Sequence, residues 1–375
     1  MCVPLKIALD LYRTGNEIVI DADISISEKQ LDSTLFFVVS KHLVIDSITC
    51  CDVPCPYHIM EVDSPFVKLQ GISVELPEAA CRLRVCYHGR PTGKHTLVEG
   101  EVFAVNIYSA WYPSELSAGE AEYTVRFHGN SYTHMANATY DQDEKLWRYQ
   151  PKDMDCNILA YRNPQVLENT RLALYYTGEP DPRAEMYFNA YMEAADFCQN
   201  LYGTERLDKS VLAILPHGRP DDGYCRKALI VLDGFFESEA AIRHLITHEI
   251  AHNWCRGADF TWEDWLNETT AEWTALLYEL HCGNQQGFLE ILEEKMRAAH
   301  TYPAIRTQNG SRPEGVHDKG TVLFYEIYRA YGSETIAGML NIFDSLDEKN
   351  TQGFIEAVRV KLGSAVADMI ECGLE

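Results

Sequence analysis

LITHEIAHNW runs from Leu245 to Trp254, and WLNETTAEW follows from Trp265 to Trp273. In the first stretch His248 and His252 stand four residues apart, with Glu249 between them. Four residues make about one helical turn, so both imidazoles fall on one face of a helix and can meet one metal ion. Glu249 projects about 100° around the helix from His248. From there it can hold a water at the metal without ligating it. A hydrolytic zinc takes a third protein ligand and keeps one position open. The second stretch offers two carboxylates one turn apart, Glu268 and Glu272, and spacing alone does not choose between them. His244, one turn before His248 on the same face, reads as a packing or supporting group.

The chain around these stretches changes character near Cys156. Before it, EIVIDADISI (Glu17–Ile26), TLFFVVS (Thr34–Ser40), CRLRVCYHG (Cys81–Gly89) and YTVRFHG (Tyr123–Gly129) are rich in β-branched and aromatic residues. Several alternate apolar with polar, and turn-forming residues separate them, which predicts an antiparallel sandwich or saddle over residues 1–155. After it come the strand-like RLALYY (Arg171–Tyr176), a helical run from Arg183 to Tyr202 closed by Gly203, and two short apolar strands, SVLAILP and KALIVLDG. Helices then follow one another. Ser238 caps the one carrying HEIAH, a second runs from Trp265 to Gly283, and others lie near 287–300, 319–331, 334–346 and 352–362. Residues 156–375 are therefore expected to form a second domain, with a small sheet and a helical half.

The 375 residues carry a net charge of -24, which leaves no basic surplus for nucleic acid. No run of about 18 apolar residues predicts a membrane span. The first residues lack the charged and apolar regions of a signal peptide, so the protein is expected in the cytoplasm. Twelve cysteines are scattered without the spacing of a zinc knuckle, and they read as reduced thiols.

HEIAHNW followed by WLNE resembles the gluzincin family of zinc metallopeptidases that includes aminopeptidase N. YSAWYPSELSAGEAEYTVRF (Tyr108–Phe127) resembles a segment of that family's N-terminal β domain. HDKGTVLFYEIYRAYGSETIAGMLNIF (His317–Phe343) resembles its late catalytic helices, with Lys319-Gly320 as the family's Lys-Gly pair. The resemblance implies an α+β multidomain chain, a β-sandwich or saddle followed by a thermolysin-like zinc peptidase domain. The family's C-terminal helical domain is expected to be absent. The resemblance selects Glu268 over Glu272, giving one zinc per chain on His248, His252 and Glu268. It implies Glu249 as general base and peptides as substrates.

The sequence departs from the family pattern in several places. Fifteen residues separate His252 from Glu268, three fewer than usual, and Thr269 replaces the glycine that follows the family's glutamate. Where Gly-Ala-Met-Glu-Asn normally binds a substrate's α-amine, the chain reads GYCRKALIVL (Gly223–Leu232), placing Arg226 and Lys227 where an acid is expected. A cation about 4 Å from an ammonium costs about 4 kcal/mol at moderate dielectric. No glutamine stands shortly upstream of Trp111-Tyr112-Pro113 to supply the family's other amine contact. His317 replaces the tyrosine two residues before Lys-Gly, and an imidazole N–H can make the tyrosine's donation to an oxyanion. The expected function is a zinc metallopeptidase. The alternatives are a zinc-bound peptide-binding or scaffolding protein, and an endopeptidase or small-amide hydrolase instead of an aminopeptidase.

Overall fold

In the strand Leu5–Thr14, Leu5, Ile7, Leu9 and Leu11 are buried and the residues between them face outward. The neighbouring strand Glu17–Ser25 buries Ile18, Ile20, Ala22 and Ile24 in the same way. This period of two lays one apolar face of an eight-stranded sheet onto a core. The computed structural model describes residues 5–26, 33–64, 67–77, 82–117, 120–129, 131–150, 155–216 and 222–375. Cys81, the first residue of an expected strand, lies outside them. The large sheet is antiparallel except at its centre, where Leu5–Thr14 and Ala121–His128 run parallel. Purely antiparallel pairing was expected. A parallel pair needs a long crossover, and the chain between residues 14 and 121 supplies it.

A three-stranded sheet of Thr34–Ser40, Leu69–Glu75 and Tyr57–Val62 covers that core, adding Phe37, Val39, Ile72 and Val74. A third sheet, Thr133–Met135, Ile158–Tyr161 and Val102–Val105, stands between two cores. Phe103, Val105, Ile158 and Ala160 point into the sandwich. Val102, Ala104, Leu159 and Tyr161 point the other way, onto Ala213, Leu215, Leu229 and Val231.

Those last residues belong to a five-stranded sheet ordered Gln165–Glu168, Leu172–Tyr176, Ser210–Leu215, Leu229–Asp233, Gly223–Arg226. Its three central strands are parallel and both edge strands antiparallel. Helix α1 (Pro182–Tyr202) makes the first crossover, capped by Asp181 and ended by Gly203 in the left-handed region at φ 64°. There follow α2 (Glu239–Ala251), α3 (Trp265–His281), α4 (Gln285–Ala299), α5 (Val316–Tyr331), α6 (Ser333–Ser345), α7 (Thr351–Lys361) and α8 (Ser364–Gly373). Helix α8 was not expected; only Val366, Ala367 and Ile370 of its ten residues are buried. Helix α5 begins three residues earlier than expected, which brings His317 into its first turn.

Helix α3 is the axis of the helical half, with an unbroken buried run from Thr269 to Glu279. The indoles around it are buried and each finds an acceptor: Trp254 donates to Thr204 Oγ1, Trp265 to Thr351 Oγ1 and Trp273 to the Thr321 carbonyl, at 2.8–3.0 Å. Among the described residues no helix is long and apolar enough to cross a membrane, and no disulfide joins the ten described cysteines.

Candidate metal centre

Helix α2 starts at Ser238, whose hydroxyl accepts from the Ala241 N–H. Ile242, Ile246 and Ile250 recur at four-residue spacing and bury one face in the core. His248 and Glu249 are also buried, and His252 closes the helix as its C-cap residue. The two imidazole centroids are 5.0 Å apart.

Each imidazole is held by its Nδ1. His248 Nδ1 lies 2.9 Å from Glu272 Oε2, and His252 Nδ1 lies 3.1 Å from the Cys255 carbonyl. A carboxylate and a carbonyl only accept, so both Nδ1 atoms carry hydrogen and the Nε2 atoms are left as ligand atoms. His248 Nε2 lies 3.6 Å from Glu268 Oε2, and His248, His252 and Glu268 offer ligand atoms all within 4.8 Å of one another. Burial alone would push the His248 pKa down, but Glu268 and Glu272 raise it to about 10. Burial alone would push the Glu268 carboxyl up, yet His248 and then His252 hold it well below the usual carboxylate range. Such a site favours a cation, and two imidazoles with one carboxylate are a donor set that suits zinc. Glu249 Oε2, buried beside this cluster, has no hydrogen-bond partner within the protein. Zinc and its water would answer that orphaned oxygen, so the residues present fit the metal.

Glu272, the alternative ligand, is committed elsewhere. Besides His248, its Oε2 faces His317 Nε2 at 3.2 Å, while its Oε1 faces His244 Nε2 at 3.3 Å and Lys295 Nζ at 3.5 Å. Burial alone would push the Glu272 carboxyl up, but Lys295 first, with His244 and His317, holds it well below the usual carboxylate range. His248, Glu272 and His317 also form a second close group of potential ligand atoms, but one that uses the anchored side of His248. Lys295, on α4, also meets Asp318 at 3.1 Å; nothing in the sequence pattern marked it. His317 therefore belongs to the site, with its ring 5.3 Å from that of His248 and its Nε2 turned to Glu272, so Nδ1 is its uncommitted nitrogen.

The shortened connection between α2 and α3 is clamped by the residue before Glu268. Asn267 Nδ2 donates to the Ala258 carbonyl at 3.0 Å, and its Oδ1 accepts from the Ala258 N–H at 3.1 Å. Asp264 takes a further hydrogen bond from Asn267 at 2.8 Å and is held by Arg312 at 2.7 Å. Thr269 fills space that Gly320 of α5 leaves open: a Cβ at Gly320 would lie 1.8 Å from Thr269 Oγ1.

Among the described residues the edge strand Gly223–Arg226 pairs with Leu229–Asp233 alone, which leaves its outer side for an extended chain. A Cβ at Gly223 would lie 3.7 Å from Glu249 Oε1, so this strand runs beside that carboxylate. Of the two cations noted in the sequence, Arg226 stands on the strand, while Lys227 occupies the following turn at φ 55°.

No family model matches the sequence, and no curated protein matches it. Solved structures do. An M1 zinc metallopeptidase from Deinococcus radiodurans superposes with a TM-score of 0.63 at 15% identity, covering 99% of this chain and 92% of that one. A variant of an M1 zinc metallopeptidase from the same organism, bound to a Tyr-Ser-Ala substrate, gives 0.63 at 14% identity, covering 99% and 93%. Leukotriene A4 hydrolase from Saccharomyces cerevisiae gives 0.68 at 11% identity, covering 99% of this chain and 66% of that one. The chain thus has the multidomain α and β fold of the M1 zinc metallopeptidases.

Proposed function

We propose that this chain is a zinc metallopeptidase acting on peptides, with one zinc held by His248, His252 and Glu268. The observation that carries the reading is the anchoring of both histidines through Nδ1, which turns their other nitrogens toward Glu268 beside the unpartnered oxygen of Glu249. We divide the chain at residue 155 into a β domain and a catalytic domain; in support, the sandwich core takes only Cys156, Ile158 and Ala160 from beyond that point among the described residues, and the buried residues of the helical core start at Leu172. The peptide complex of the Deinococcus radiodurans relative supports peptides as the substrate class.

When bound, zinc would supply the Lewis acid that polarises the scissile carbonyl and makes a water more acidic. The chain's own groups do the rest. The open side of Gly223–Arg226 aligns an extended substrate by backbone hydrogen bonds. Glu249 takes a proton from the attacking water and delivers it to the leaving nitrogen. With Nε2–H on Glu272, the doubly protonated ring of His317 donates its Nδ1–H to the carbonyl oxygen as negative charge develops there. Glu272 holds His248 and His317 in place.

Glu249→Gln tests the reading. The variant is expected to keep about one zinc per chain and to lose cleavage of a mixed peptide library followed by mass spectrometry. Internal cuts by the parent protein would mark an endopeptidase, and ladders from the N-terminus an aminopeptidase. A parent protein that holds zinc and cuts nothing would be the peptide-binding scaffold instead. Undiminished cleavage by Glu249→Gln would remove the general base from the mechanism.

A further inference from the structure

Along the edge strand, the side chains of Tyr224 and Arg226 share one face. The Tyr224 hydroxyl donates to Asn157 Oδ1 at 2.6 Å, and the Arg226 guanidinium lies over the Tyr224 ring, 5.3 Å from its centroid. Arg226 is three residues from Gly223, which abuts Glu249, so it stands roughly 10 Å along an extended chain from the general base. A substrate laid on this strand therefore meets Arg226 about three residues along from the position beside Glu249.

The guanidinium is incompletely matched. Its Nη1 donates to the Cys225 carbonyl at 2.9 Å, and it contacts the Tyr108 hydroxyl. Its Nε is buried and has no hydrogen-bond partner within the protein. That Nε faces Asp155 Oδ2 at 3.6 Å, an ion pair beyond hydrogen-bond distance; the Asp155 side chain is 0% exposed, whereas the Arg226 side chain is 17% exposed. Neither Asp155 oxygen receives a hydrogen bond of ordinary geometry, and burial pushes its pKa up to about 6. The acid of this pair is thus sealed behind the base, and the base is the half that can reach the cleft. Arg256, exposed at the start of the α2–α3 connection, adds a second cation within electrostatic reach of Cys225, as Arg226 is.

We propose that Arg226 is an anion-binding residue, and that the cleft takes substrates whose acyl side carries a carboxylate. The inference rests on the metallopeptidase reading and names its substrate class. A partly exposed guanidinium whose nearest described carboxylate lies beyond hydrogen-bond distance can donate to a substrate carboxylate from its exposed edge. A free α-ammonium in the same position would face the Arg226 cation, whose described carboxylate partner, Asp155, is fully buried. The protein's net charge of -24 repels anions at long range, so the selection is made by this local contact and not by steering.

Three hydroxamates that share one metal-binding group test this: alanine, acetyl-alanine and succinyl-alanine hydroxamate, titrated calorimetrically into the zinc-loaded protein. The succinyl compound is expected to bind about 10- to 100-fold more tightly than the acetyl compound, and the free amine most weakly. This advantage should shrink as salt is raised. Arg226→Gln should abolish the succinyl advantage while leaving the acetyl compound within a few-fold. Should Gln at this position prevent folding because Asp155 loses its partner, Arg226→Lys keeps the charge and should retain part of the advantage. Equal binding of all three, or tightest binding of the free amine, overturns the anion site and leaves the metallopeptidase reading standing. Failure of all three to bind sinks both.

Discussion

His248 is gripped from both sides, by Glu272 at 2.9 Å from Nδ1 and by Glu268 at 3.6 Å from Nε2. The two carboxylates are one turn apart on α3, so a single helix supplies both the candidate ligand and the group that orients the imidazole. Glu272 extends the same grip to His244, Lys295 and His317, which ties α2, α4 and α5 to α3 through one buried charge.

Glu268→Ala is expected to lose zinc far more severely than Glu272→Ala. Removing a group that only orients a ligand weakens affinity by about 10- to 100-fold. Removing a ligand does more. Chelator competition on the purified variants measures both, and zinc retention by Glu268→Ala with loss in Glu272→Ala would exchange the two roles.

His317→Ala should lower kcat by about 100- to 1,000-fold, the range for deleting one oxyanion donor. Its zinc content should change little, because Glu272 still orients His248. Turnover at the parent rate would assign His317 to the support of Glu272 alone.

His95 gives a stability prediction with a definite sign. It stands at φ 54°, with Nδ1 2.9 Å from Asp233 and Nε2 3.5 Å from Asp222, and so joins the β region to the five-stranded sheet. Burial would lower its pKa, but Asp222 and Asp233 raise it to about 9. A raised histidine pKa contributes stability that is complete below about pH 6.5 and is lost as pH rises through about 9. The contribution is on the order of 2–3 kcal/mol. Asp222, held below its usual range, adds stability that is lost at acid pH. Urea midpoints of the parent should therefore fall between pH 6 and pH 10. In His95→Asn, which tolerates the left-handed backbone, that fall should be much reduced. An identical fall in both proteins would remove His95 as its cause.

Gly320→Ala is expected to destabilise the fold by about 1–3 kcal/mol, because its methyl group would overlap Thr269 across the contact of α3 with α5. Adding Thr269→Ala removes the opposing hydroxyl, which is buried without a partner, and should restore much of the loss. Additive losses in the double variant would contradict this account of the contact.

Some of this molecule is written locally. Helix α2 and its two histidines follow from a four-residue spacing, and the strands of the sandwich follow from period-two alternation, because both patterns arise within one turn or a few residues of backbone. The parallel pairing of Leu5–Thr14 with Ala121–His128 leaves no such trace, since alternation records which face is buried and not which way the neighbour runs. Helix α8 is similarly faint, with three buried apolar residues in ten.

At the site, the sequence by itself determined the candidate ligand types and the position of Glu249 between two histidines, and the family resemblance added Arg226 in place of an acid. The sequence left Glu268 and Glu272 equivalent in spacing, and only family resemblance separated them. Tertiary structure made them different. Packing brings Lys295 from α4, His317 from α5 and His244 from α2 onto Glu272, and leaves Glu268 facing the free nitrogen of His248. It also seals Asp155 behind Arg226, 71 residues away in the chain. A side chain's charge is a property of its residue type, but its partner is set by which helices and strands share a core. That choice depends on contacts distant in sequence, and no local spacing encodes it.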